Sequence, residues 1–300
     1  LSFAGDLYWT SSSDGGATWE VPRAAVATDA SERHPALVQL AGGTLALFYL
    51  VDETGDGGYR LHRATSADGA EWTDAGAIYL GWPTPGEVNP DVIAEPDGSL
   101  TMTYHRLSGP SYIARSLDDG ATWDTERTQV SLGSAALPRI TRRDSDGMYL
   151  VTYQTNPGDN DLDLWSRRSR DPRDWTATPV AVSVARNSHD SQPLALPDGT
   201  FVVVYSEQAG SAFDVRYRHS SDGASWSDAS LVTNWPTQYD TQPHAVVGAG
   251  PSTVVLAWSH QDGDRPYVDH DVWVEPALDL DIQRQAPLHL PLGYSGGATR

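Results

Sequence analysis

The sequence predicts an all-β protein, a β-propeller, and three observations carry that reading. A seven- or eight-residue phrase that opens Ser-x-Asp and closes on Trp recurs five times. Its tryptophans, at 19, 72, 123, 175 and 226, are spaced by 51–53 residues. Between copies the chain runs through short β-type segments with turn punctuation and no helical periodicity. A period of this length means a solenoid, a propeller or an array, and four short strands per period select the propeller.

The five copies begin at Ser12, Ser66, Ser116, Ser169 and Ser220, and the fourth replaces its glycine by Pro172. Asp accepts hydrogen bonds from N–H groups two or three residues on and closes a turn. Gly supplies a backbone angle that a β-carbon resists. Trp then packs its ring into the layer between repeats. The phrase is a folding device, and no chemistry is assigned to it.

One repeat reads as four antiparallel strands. Ala75–Leu80 is an outer strand, and Asn89–Ala94 is the first strand of the next unit. Pro96-Asp97-Gly98 turns the chain into Leu100–Tyr104, and Tyr112–Arg115 then runs into the next phrase. The phrase thus lies between third and fourth strands. First and second strands occur five times, near 35, 90, 138, 193 and 243. Third strands occur six times, counting Asp6–Trp9 and Asp269–Trp273. Five blades fit this arithmetic, with a sixth assembled from both termini as the alternative. The chain then reads as one domain over 1–300. Strands within 1–28 close the ring against a last blade at 240–277, and 278–300 form a tail.

Forty acidic against twenty basic residues give a net charge of −20. That excess disfavours nucleic acid and anionic membranes as partners, and no apolar run is long enough for a membrane span. There is no cysteine, hence no disulfide and no thiolate metal site. The chain starts at Leu1 rather than Met, as after removal of a leader, and a secreted monomer fits the composition.

The repeated phrases resemble the Asp boxes of the sialidase-like β-propellers, over nearly the whole chain. That fold carries sialidases, other glycosidases, lyases and lectins, so the resemblance implies fold more than function. One stretch is similar to true sialidases. Arg33-His34-Pro35 stands where they open with Arg-Ile-Pro, which puts Arg33 on a carboxylate-binding arginine and Asp56 on the general acid. Elsewhere the pattern departs. Gln192 precedes Pro193 where the family has Glu, and Glu207-Gln208 stands where it has Arg. Arg106 is the candidate second arginine. The resemblance also implies that the Asp-box turns lie on the face opposite the site.

The site face then gathers residues before the inner-strand prolines and after the second strands. Before Pro stand Arg33 and His34, Glu87 and Asn89, His189, Asp190 and Gln192, and Tyr239, Asp240 and Gln242. After the second strands stand His105, Arg106, Glu207 and His260. Four repeats carry an acid three residues before Pro. Two loops, Trp82-Pro83-Thr84 and Trp235-Pro236-Thr237, offer flat rings for stacking on sugars. Carboxylates at close quarters push each other's pKa values apart, which yields an acid and a base on one fold.

The expected function is hydrolysis of glycosidic bonds in an oligo- or polysaccharide, with the catalytic pair drawn from Asp56, Asp190, Glu207 and Asp240. A polysaccharide lyase acting on uronic acids, with His189 or Tyr239 moving the proton, is the alternative enzyme. A carbohydrate-binding propeller is the alternative without catalysis. Repeated lectin pockets call for the same polar set in every blade, and Ala135-Ala136-Leu137 breaks that symmetry. No cofactor is expected. No short-spaced histidine pair supports zinc, and axis oxygens leave room for a structural Ca2+ without an EF-hand loop.

Overall fold

The computed structural model describes residues 5–158, 161–248, 253–261 and 271–280. Among them every regular element is a β-strand. An antiparallel pair opens the chain, β1 (Leu7–Trp9) and β2 (Arg23–Val26). The first meander is β3 (Ser31–Gln39), β4 (Leu45–Asp52), β5 (Arg60–Ser66) and β6 (Thr73–Ala77). The second is β7 (Glu87–Ala94), β8 (Leu100–Arg106), β9 (Pro110–Ser116) and β10 (Thr128–Ser134). The third is β11 (Ala136–Arg143), β12 (Met148–Thr155), β13 (Asp163–Ser169) and β14 (Val180–Ser183). The fourth is β15 (Ser188–Ala195), β16 (Phe201–Ala209), β17 (Ala212–Ser220) and β18 (Ser230–Leu231). A last run of β19 (Tyr239–Val247), β20 (Thr253–Gln261) and β21 (Asp271–Asp279) joins the fourth through one parallel pairing, Phe213 with Tyr239. Successive four-stranded antiparallel sheets of this kind are consistent with a β-propeller. Asp269, His270 and residues 281–300 of the expected tail lie outside the described residues.

The chain packs as two compact units. One holds most residues through Ile140 together with Ser169–Ala177, and the other holds Asp14–Ala17, Thr141–Arg168 and the residues from Thr178 on. In the first, β3–β6 stacks on β7–β10 through Phe48, Leu50, Leu100, Met102 and Trp123. In the second, β15–β18 packs on β11–β14 through Leu150, Leu164 and Phe201, and on β19–β21 through Val204, Leu256 and Trp258. Second strands are buried along most of their length, as in β4, β8 and β16, because a sheet lies on either face. The outer β6 is largely exposed.

The recurring phrase lies between third and fourth strands of the four meanders. Ser66 Oγ accepts from Gly69 N–H at 2.8 Å, and Asp68 Oδ1 accepts from Ala70 N–H at 2.8 Å. Ser116 with Gly120 (2.9 Å) and Ser220 with Gly223 (2.8 Å) repeat the arrangement. The indole N–H of Trp72, Trp123 and Trp175 donates to the carbonyl three residues back, at 2.9, 3.1 and 2.9 Å. Trp226 instead donates to Ser166 Oγ on β13 at 3.1 Å. Trp123 and Trp175 are buried, whereas Trp19, Trp72 and Trp226 are half-buried, so the rings close the edge of the core rather than its centre.

At the opposite end the first strands begin earlier than the prolines suggest. β3, β7, β15 and β19 each break register once, after Arg33, Val88, His189 and Thr241. The residue in the break is left-handed: His34 (φ 52°), Asn89 (φ 54°), Asp190 (φ 52°) and Gln242 (φ 54°). Leu137 (φ 49°) holds the same place in β11. A bulge with one left-handed residue re-aims the chain, and here it does so without glycine.

Candidate functional site

The bulge register revises the alignment read from the prolines. Asp190 stands with His34, Asn89 and Gln242 in the left-handed position, and Ser191 occupies the place of the proline. Glu32, Glu87 and Asp240 share the position two residues earlier, where the fourth meander has Ser188. Asp190 is therefore no counterpart of Asp240, and Gln192 lies beyond the bulge, paired with Val204. The cause is that Pro193 follows its bulge residue by three positions instead of one.

In the first unit, Asn89 Nδ2 lies 2.9 Å from His34 Nδ1, joining the bulge residues of neighbouring first strands. Behind them His105 is buried, its Nδ1 has no partner, and burial lowers its pKa to about 4, with His34 and Arg139 adding to the shift. The ring is neutral at neutral pH. Arg139 is turned away to the Pro90 carbonyl at 3.0 Å. Glu87 faces Arg106 across a β7–β8 rung, 3.3 Å from Nη1. Burial raises the Glu87 pKa above the ordinary carboxylate range against the opposing pull of Arg106 and Arg60. Glu32 is buried with Oε2 unpartnered. Arg33 is exposed, its Nε donating to Ser31 Oγ at 3.0 Å.

Two expectations fail here. Asp56 is fully exposed, and the Thr54 hydroxyl and the Gly58 N–H hold its carboxyl below the usual range. A general acid needs the opposite shift. Asp52 ties down the same loop through Gly55 and Gly57 N–H, at 2.8 and 3.0 Å. Trp82 is not presented for stacking on a sugar. Arg127 and Arg106 lie over its ring at 4.2 and 4.7 Å, Tyr112 meets it edge-on at 5.3 Å, and its indole N–H donates to Tyr104.

The second unit is richer in acid. Glu207 on β16 and Asp214 on β17 are directly opposite one another across the hairpin. Glu207 is 5 % exposed, Asp214 2 % and Asp240 0 %. Arg216 Nε sits 3.1 Å from Glu207 Oε1, and Ser183 Oγ donates to Oε2 at 3.1 Å. Burial raises the Asp214 pKa, the Trp235 N–H and Arg216 oppose it, and Asp240 and Glu207 add to it. Asp240 Oδ1 receives His260 Nδ1 at 2.6 Å and the Trp258 indole N–H at 3.2 Å, while Oδ2 has no partner. His260 stacks on Trp273 at 4.0 Å, and Trp235 meets both rings edge-on at 6.4 and 6.3 Å, so Trp235 is a wall of an aromatic cluster.

Beside that set, His189 Nδ1 lies 2.8 Å from Asp190 Oδ2, and the Asp190 N–H donates to Gln154 at 3.1 Å. The Phe213 ring separates His189 (4.8 Å) from Tyr239 (5.9 Å). Gln242 is exposed. Among the described residues no group of three or more His, Cys, Asp or Glu side chains is placed to hold a metal ion. Asp214 is the acid that reading by position left outside the candidate quartet. The signal was present: Gly210-Ser211 as a two-residue hairpin loop puts 207 opposite 214.

The sequence matches the family described as BNR repeat-like domain over residues 8–246. Curated protein sequences give no match. Among solved structures, the chain is similar to a protein of unknown function from Dyadobacter fermentans, with TM-score 0.71, 17% identity, 89% of this chain and 82% of that one. It is similar to a Hadza microbial sialidase with TM-score 0.63 and 16% identity, over 87% of this chain but only 58% of that one. A Penicillium chrysogenum alpha-L-arabinanase complexed with arabinobiose gives TM-score 0.58 and 16% identity, over 82% and 81% of the two chains. At these identities the likeness is one of fold.

Proposed function

Because the chain belongs to the BNR repeat-like domain family, and so to the sialidase-like propellers, we propose that it is a glycoside hydrolase whose catalytic carboxyls are Glu207 and Asp214. One observation carries this reading: two buried carboxyl groups face each other on one rung, with Arg216 at 3.1 Å and the more exposed Arg186 at 4.0 Å both against Glu207. Like charges directly opposite in a sheet are destabilising, so a purely structural role gives no reason to keep both. Their environments also differ. Glu207 has its cation in Arg216, whereas Asp214 is pushed toward its protonated form by burial and by its acidic neighbours. That division supplies a proton donor and a carboxylate, the equipment for cleaving a glycosidic bond. Asp214 protonates the leaving oxygen, Glu207 acts at the anomeric carbon or on the attacking water, and water adds across the broken C–O bond. Asp240 positions the imidazole of His260, and the His189–Asp190 pair lies beside the set.

The same reading takes the four meanders and the last run as the blades of one single-domain propeller, and a monomer working outside the cell on an oligo- or polysaccharide. The test is a glycan panel scored for reducing ends and for the absorbance of unsaturated uronates. Glu207→Gln and Asp214→Asn are each expected to lower turnover by about 10²–10⁴-fold with unchanged circular dichroism. Near-normal turnover in both variants would place the chemistry elsewhere. Unsaturated product would instead support a lyase, built on His189 and Asp190.

A further inference from the structure

We infer that the substrate of this site is an uncharged glycan, made of neutral sugar units rather than sialic or uronic acids; the inference rests on the glycosidase reading and narrows it. The chain has no lysine, so all twenty basic residues are arginines and the cations at the site are few. A substrate carboxylate is held by guanidinium groups that are not already committed, because a desolvated anion without a cation is costly.

The two arginines beside the Glu207–Asp214 pair are committed to it. Arg216 lies against Glu207 at 3.1 Å, and the more exposed Arg186 approaches the same carboxylate at 4.0 Å. Asp190 and Asp240 are tied to His189 and His260 instead, so the second unit sets four acids, Asp190, Glu207, Asp214 and Asp240, against two arginines. An anionic sugar brought to that set meets like charge at close range.

What the site does offer is matched to hydroxyl groups. Neither left-handed bulge residue of the second unit, Asp190 or Gln242, is basic, and Gln242 carries an uncharged amide on an exposed side chain. One buried polar atom points to a ligand of this chemistry: Oδ2 of the fully buried Asp240 has no partner. A sugar hydroxyl satisfies a carboxylate oxygen by donating to it, which a substrate carboxylate cannot do.

Calorimetric titration of the Asp214→Asn protein, which keeps Arg216 and Arg186 on Glu207, with neutral oligosaccharides (arabino-, xylo-, galacto- and gluco-oligomers), sialyllactose and oligogalacturonate decides the matter. At least one neutral series is expected to bind about tenfold or more tighter than either anionic probe at low salt. Anionic binding as tight as the best neutral probe, or binding of no glycan at all, overturns the inference. The parent protein separates this result from the catalytic reading. Neutral binding without reducing-end release leaves the substrate class standing and removes the hydrolase, whereas hydrolysis of an anionic glycan does the reverse.

Discussion

The two ends of a meander both use left-handed backbone, but with different residues. In three of the recurring turns the position is glycine, at Gly69, Gly120 and Gly223 (φ 81°, 82° and 68°). At the bulge end it is His34, Asn89, Leu137, Asp190 or Gln242. Glycine reaches that region without steric cost, while other residues are strained by about 1–2 kcal/mol. The acids divide in the same way. Asp68 and Asp222 are held below the ordinary range chiefly by backbone N–H groups, and Asp118 chiefly by the Thr122 hydroxyl. Glu87 and Asp214 at the other end are pushed above it by burial. The bulge end keeps left-handed non-glycine residues in five strands and buried carboxyl oxygens without a partner at Glu32 and Asp240. Such features collect at functional sites.

The sharpest test of the turn end is Trp123→Ala. Trp123 packs edge-on against Phe48 at 5.5 Å and donates to the Gly120 carbonyl. Its removal is expected to destabilise the protein by about 3–5 kcal/mol in urea titration, with activity per folded molecule kept. A stable but inactive variant would move function to the turn end and break the comparison.

Gly120→Ala is the next step down. A β-carbon there would stand 2.5 Å from Phe48 Cζ, on a backbone with φ +82°. Phe48 is fully buried and has no room to yield. The expected loss is about 1–3 kcal/mol, and a neutral result would show that the turn tolerates a side chain after all.

The turns were the legible part of this molecule. Ser, Asp, Gly and Trp at fixed offsets each state their backbone partner, and five copies fix the period. The site was less legible, for two reasons. Register at a bulge is set by the backbone, and Ser191 takes the proline's place in β15, so counting back from Pro193 put Asp190 beside the wrong neighbours. The state of a carboxyl group depends on burial and on cross-strand partners. Asp56 and Asp214 look alike in sequence, yet one is exposed and held low while the other is buried and held high.

That electrostatic contrast predicts opposite pH slopes. A carboxyl whose folded pKa is depressed, as in Asp118, contributes stability present above the unfolded value of about 4 and lost as pH falls through the folded value. A carboxyl whose folded pKa is raised, as in Asp214, contributes stability present below the unfolded value and lost as pH rises through the folded value. Measured against the parent by urea midpoint from about pH 3 to pH 7, Asp118→Asn should lose ground as pH rises and Asp214→Asn should gain it. Parallel curves for the two variants would mean that the two ends are electrostatically equivalent.

The smallest expected effect is the most specific. Gln242 carries the bulge of β19 at φ 54° with an exposed side chain, so its glycine variant removes strain and little packing. Relief of about 1–2 kcal/mol of left-handed strain is offset by about 0.5–1 kcal/mol of extra chain entropy in the unfolded state. Gln242→Gly should therefore raise stability by about 0.5 kcal/mol, and affinity for the preferred glycan should fall because an amide has gone. Asp190→Gly is a poorer probe, since it also removes the contact with His189. Loss of stability in Gln242→Gly would mean that the side chain holds the bulge in place. Its left-handed backbone would then be a folding device, like the glycines at the other end.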